Sequence, residues 1–207
     1  MAAGTAAGLK TKIHAEQLSR SGCVAAAIEA GAVSVDHLDC LEAADMASLA
    51  GGAAVACLVP GSNYFLGKPY PPARRLISAG AAVALATDFN PGTCPCWDMR
   101  MILSIACTQM KMTPAEALVA ATINGACALG LEKTHGCLEP GKKADIVCWD
   151  AEDYREIARR YILRSGGGSG SRREPLPSLY WSNSSARTAS ASGQQTTASI
   201  SQYAKRG

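Results

Sequence analysis

Four short apolar stretches recur at intervals of roughly two dozen residues, each followed by a helical pattern, and this period limits the fold more than any other feature. The stretches are LKTKIH at 9–14, VSVDH at 33–37, AAVACLV at 53–59 and VALAT at 83–87. Between them, 22–31 and 41–49 carry helix patterns closed by glycine, and Pro71 and Pro72 open a third that runs to Gly80. Residues 60–66 read as a break and loop, because Pro60-Gly61 interrupts the apolar run. Strands alternating with helices in this way predict an α/β fold with a parallel sheet and right-handed crossovers. Four such units make half of an eight-stranded TIM-type barrel.

Downstream, 99–110 and 114–121 predict helices, the second started by Thr113 as N-cap with Pro114 and Glu116 in the first turn. Residues 123–131 add a further helical turn or two. The pattern at 136–149 changes to strand and turn around Pro140-Gly141, the remnant of a small β-domain. From residue 159 the chain is rich in Ser, Gly, Thr and Arg without apolar period, as a disordered tail would be. The expected division is therefore a partial barrel at 1–134, the start of a β-structure at 135–158 and a tail at 159–207.

Composition narrows the function. A 48% hydrophobic content supports a real core, and a net charge of +3 is too small to point to nucleic acid. No stretch of about 18 apolar residues exists to span a membrane, and the first residues lack the pattern of a secretory leader. Nine cysteines, an odd number without paired spacing, fit reduced thiols in the cytoplasm better than a disulfide frame. Cys94 and Cys96 around Pro95 are a weak metal-site signal.

Chemistry gathers at strand ends. Asp88 closes the fourth strand and begins the turn-rich loop Phe89-Asn90-Pro91-Gly92-Thr93, while His14 and His37 end the first and second strands. In parallel barrels these ends share one mouth, and imidazole with carboxylate is a ligand set for Zn²⁺ or iron. His135, the third histidine, reads as a surface residue.

The segments KIHAEQLS at 12–19, SVDHL at 34–38 and ATDFNPGT at 86–93 resemble the C-terminal half of imidazolonepropionases, members of the amidohydrolase superfamily that act in histidine degradation. MTPAEALVAATIN from Met112 and LEPGKKADIV from Leu138 extend the likeness to about residue 157. The resemblance implies the C-terminal half of a (β/α)8 barrel, strands five to eight, with His14 and Asp88 as ligands of one Zn²⁺ or Fe³⁺ ion. It implies that His37 and Asp88 are catalytic and that Gln17, Asn90, Gly92 and Thr93 hold substrate. The implied reaction opens the cyclic amide of 4-imidazolone-5-propanoate to N-formimidoyl-L-glutamate. The partners expected are this small molecule and, in the intact enzyme, a second copy of itself.

Gln17 stands where deaminase-like relatives tend to carry a proton-shuttling Glu, and an amide can only hydrogen-bond at neutral pH. Glu16, one residue earlier, would face the other side of an extended chain. The H-x-H that supplies the remaining ligands in the family is absent, so the chain reads as a fragment with little activity by itself. Two alternatives stay open: another cyclic-amide hydrolase or deaminase of the same superfamily, and a noncatalytic interaction fragment.

Overall fold

The computed structural model describes residues 2–149 and 151–159. Four parallel strands, β1 (Lys12–Ala15), β2 (Ser34–His37), β3 (Val55–Leu58) and β4 (Val83–Leu85), lie in the order β1-β2-β3-β4. Consecutive strands are neighbours, as right-handed βα crossovers require when a sheet curls toward a barrel. The register pairs His14 with Asp36 and Ala15 with His37, which brings the ends of β1 and β2 level.

Alternation gives each strand two faces. Val35, Ala56, Leu58, Val83 and Leu85 point outward into the main core, packed with Val24, Leu49, Leu76, Ile102 and Ala117 from the covering helices. Those helices are α2 (Cys23–Glu29), α3 (Ala43–Gly51), α5 (Ala73–Ser78), α6 (Met99–Thr108) and α7 (Pro114–Ala121); α1 (Ala2–Ala6) precedes β1. Burying such side chains contributes about 1.5–3 kcal/mol each, which is what holds the layer together. The opposite, concave face carries a small apolar group, Val55, Cys57 and Ala84, covered by Ala128 of α8 (Ile123–Leu129).

On the concave side of β1 and β2 the residues are polar, and they tie α8 to the sheet. The Lys12 ammonium donates to Ser34 Oγ, to Asp36 Oδ1 at 3.3 Å and to the Ala128 carbonyl at 3.2 Å. Lys10 Nζ donates to the Gly130 carbonyl at 2.5 Å, and Asn124 Nδ2 to the Val83 carbonyl at 2.8 Å. Two ammonium groups thus meet the carbonyl-rich C-terminal end of α8, where the helix dipole favours positive charge.

Two local expectations are corrected. The segment read as a loop is a helix, α4 (Pro60–Leu66), because Pro60 fits the first turn, where its missing N–H costs nothing, and Gly67 closes it at φ 63°. At 136–149 the chain forms turns and irregular backbone, with no strand. Beyond it, a 3₁₀ turn at Tyr154–Glu156 leads to Ile157 and Ala158, which are buried in the main core. The tail expected from 159 lies, after Arg159, outside the described residues. No helix among the described residues is long and apolar enough to cross a membrane.

Candidate active site

His14 and His37 stand at the ends of β1 and β2 and Asp88 three residues past β4, and the two imidazoles touch. His14 and His37 pack ring against ring, with centroids 4.1 Å apart and planes tilted by 41°. Simple alternation would send the His37 side chain outward with Val35. Instead His37 and Leu38 have φ of 80° and 66°, an unusual conformation for bulky residues, and the imidazole turns back onto His14. His37 is 5% exposed, and its Nδ1 has no hydrogen-bond partner among the described residues. Burial, first, and the neighbouring His14 imidazole hold its pKa below the usual histidine value, against the opposing pull of Asp88 and Asp36. Asp88 therefore lies within electrostatic reach of His37.

Asp88 owes its placement to a left-handed backbone, φ 52°, just beyond β4. The following loop is closed by the Asn90 amide, whose Nδ2 donates to the Asp88 carbonyl at 2.7 Å and to Thr93 Oγ1 at 2.9 Å. Its Oδ1 accepts from the N–H groups of Gly92 at 2.9 Å and Thr93 at 2.7 Å. Asn90, Gly92 and Thr93 thus bond to one another in the loop beside Asp88. Phe89 and Trp97 form an exposed edge-to-face aromatic pair there, with centroids 5.5 Å apart.

Beyond β1 the chain divides its two polar residues between structure and site. Glu16, 2% exposed and at φ 56°, accepts from Ser21 N at 2.6 Å, Ser21 Oγ at 2.9 Å and Cys23 N at 3.0 Å, so it fastens the start of α2. Gln17 lines a cleft of about 370 Å³ together with Leu18, Asp39, Cys40, Lys68 and Pro69. Burial pushes the Asp39 carboxyl up to about 6, opposed by a hydrogen bond from Asn63 and by the charge of His14. Asp39 Oδ1 and Asn63 Oδ1 are buried without partners among the described residues, while Asn63 Nδ2 donates to the Pro69 carbonyl at 2.7 Å.

Sequence reasoning missed Asp39, Asn63 and Lys68. The available signal was position: each follows the C-terminal end of β2 or β3, where a barrel presents its working groups. His135 is half-buried, hydrogen-bonded at Nδ1 to Thr134 Oγ1 at 2.7 Å, in a segment away from the strand-end loops.

The donor types at the rim, imidazole nitrogen and carboxylate oxygen, suit a divalent ion, and the buried Nδ1 of His37 is left without a hydrogen-bond partner among the described residues. They supply part of a ligand set: among the described residues, no group of three or more His, Cys, Asp and Glu side chains is arranged to hold a metal. All nine cysteines, Cys94 and Cys96 included, are unpaired.

Residues 3–171 match the Amidohydrolase family. The chain is 47% identical over 147 residues to an imidazolonepropionase of Flavobacterium johnsoniae, an alignment covering 71% of this chain and 36% of that relative. It is 46% identical over 167 residues to an imidazolonepropionase of Rubrobacter xylanophilus, covering 77% of this chain and 40% of the relative. The chain thus spans well under half the length of the curated relatives it matches. Among solved structures it superposes on a zinc-bound adenosine deaminase of Xanthomonas campestris with a TM-score of 0.64 at 23% identity, covering 76% of this chain and 43% of that one. An atrazine chlorohydrolase of Arthrobacter aurescens, in complex with zinc and atraton, gives 0.63 at 17% identity, covering 76% and 41%; at such identities these likenesses establish the fold alone. By the match across most of its length and by its half-barrel of parallel βα units, this chain belongs to the amidohydrolase family.

Proposed function

We propose that this chain carries the strand-five-to-eight half of an imidazolonepropionase site, which hydrolyses the cyclic amide of 4-imidazolone-5-propanoate to N-formimidoyl-L-glutamate. The observation that supports this most is the stacked His14–His37 pair coupled to Asp88, at the strand ends of a chain 46–47% identical to imidazolonepropionases. His14 and Asp88 would hold one Zn²⁺ or Fe³⁺ ion, with further ligands from outside the described residues. When bound, such an ion polarises the amide carbonyl and lowers the pKa of water toward about 7.

The chain's own groups divide the remaining work. His37, kept neutral by burial, carries one ring proton; placed on Nδ1, that proton donates a hydrogen bond to the substrate carbonyl oxygen as negative charge develops there. The Asp88 carboxylate takes the proton of the attacking water and returns it to the ring nitrogen as the C–N bond breaks, so water adds across that bond. Gln17 offers a neutral amide to the polar ring, and Gly92 and Thr93 offer an N–H and a hydroxyl to the carboxylate end. The nine unpaired thiols favour the reducing cytoplasm as the place of work.

The test follows the loss of imidazolone absorbance with Zn²⁺ present, for the chain alone and for the chain mixed with the remaining segment of a curated relative. The mixture should turn over substrate; His14→Ala and Asp88→Ala should abolish both Zn²⁺ binding and turnover. His37→Ala should retain Zn²⁺ binding and lose about 10²–10⁴-fold in rate. Turnover unaffected by Asp88→Ala would defeat the assignment.

A further inference from the structure

We propose that Asn90 is a positioning residue, which holds the left-handed backbone of Asp88 and so sets the aim of its carboxylate. This rests on the reading of Asp88 as metal ligand and proton carrier. The Asn90 amide has partners within the loop at both its nitrogen and its oxygen, Thr93 Oγ1 lying 2.9 Å from the one and 3.1 Å from the other. A primary amide has two N–H donors and two carbonyl lone pairs. Here the donors reach the Asp88 carbonyl and Thr93 Oγ1, and the lone pairs accept from Gly92 N and Thr93 N. The two backbone donors fix which end of the amide is oxygen, and therefore that nitrogen faces Asp88.

The hold on Asp88 is anchored beyond the loop. The Asn90 main-chain N–H donates to the Cys94 carbonyl at 3.0 Å, an isolated antiparallel bridge that closes the turn. The Cys94 side chain is 2% exposed and packs against Gly61 of α4, where even a methyl group would come within 2.6 Å of its sulfur. The positions of α4, Cys94, Asn90 and Asp88 are thereby linked in series. At φ 52° Asp88 is in the left-handed region, which Asp enters more readily than most residues when local hydrogen bonds support it, and the 2.7 Å bond to its carbonyl restrains the peptide plane that follows.

Asn90→Asp is the discriminating variant. A carboxylate keeps both acceptor bonds to Gly92 and Thr93 but turns an oxygen toward the Asp88 carbonyl, so the loop remains while the tie to Asp88 is lost. Three readouts on the full chain separate the possibilities: the urea midpoint, the Asp88 HN–Hα coupling and carbonyl chemical shift by NMR, and titration with Co²⁺ alone. The expected result is a folded variant whose Asp88 leaves the left-handed region and whose Co²⁺ affinity falls about tenfold or more. An Asn90→Asp chain with unchanged Asp88 shifts and coupling overturns the proposal. If the wild-type chain by itself binds no Co²⁺, the titration is repeated on the mixture with the remaining segment of a relative, where absence of binding defeats the metal reading of Asp88, while the NMR comparison on the chain still decides whether Asn90 sets its backbone. Should Asn90→Asp unfold, Asn90→Ser, whose hydroxyl can still accept from the loop N–H groups, takes its place under the same criteria.

Discussion

Asp39 is a carboxyl group placed where water cannot fully solvate its charge, and its effect on stability has a definite sign. In the folded chain it keeps its proton up to about pH 6, whereas the unfolded chain releases it near 3.8. Between those values the native state binds more protons, so the contribution of this group falls as pH rises through the window. Two pKa units correspond to about 3 kcal/mol, and partial exposure reduces that to about 1 kcal/mol. Asp39→Asn should therefore stabilise the chain by about 1 kcal/mol at pH 8 and by almost nothing at pH 4, measured by urea unfolding. Equal gains at both pH values would show that the buried charge is not the cause. Glu16 has a structural task instead, its carboxylate accepting from Ser21 N, Ser21 Oγ and Cys23 N. Glu16→Ala leaves the start of α2 without that cap and should cost about 1–3 kcal/mol, with faster amide exchange at Ser21 and Cys23.

At the scale of elements, the contact between α4 and the loop after β4 is tight enough to be tested by volume. Gly61→Ala would place a methyl 2.6 Å from Cys94 Sγ and 3.3 Å from the Thr87 carbonyl, and should cost about 1–3 kcal/mol. Cys94→Ala removes the closer obstacle, so the double variant should lose less than the sum of the single losses; strict additivity in a thermal-denaturation cycle would contradict the contact. The same helix shows how local signals mislead. Pro60-Gly61 reads as a breaker in sequence, yet proline is at home in a first turn, and its meaning depends on whether a helix begins there. By contrast, β1 to β4 and α7 were legible because apolar runs and the Thr113–Glu116 capping pair are determined by nearby residues. The stretch 136–149 has strand-like residues, but a strand requires a neighbour that sequence alone does not specify. The positions of His14 and His37 in the last two residues of β1 and β2, and of Asp88 just past β4, were legible from where the apolar runs stop. The turn of His37 onto His14 was not, since two successive left-handed residues override the period-two rule.

Considered whole, the molecule is a curled sheet closed below by α8 and open above at the rim. Lys12 joins β1, β2 and α8 through Ser34, Asp36 and the Ala128 carbonyl, so Lys12→Met should lose about 1–3 kcal/mol. Hydrogen exchange should then quicken across Ile123–Leu129 while the α6 core stays protected; uniform quickening would mean global rather than local loosening. The fastening of α8 also sets apart the two ends of the sheet. Lys12, Ser34 and Val83, which anchor the helix, each stand first in their strands, whereas Gln17, Asp39 and Asn90 follow the strands' last residues, so a substitution in one group acts on the footing of the sheet and one in the other on its crown.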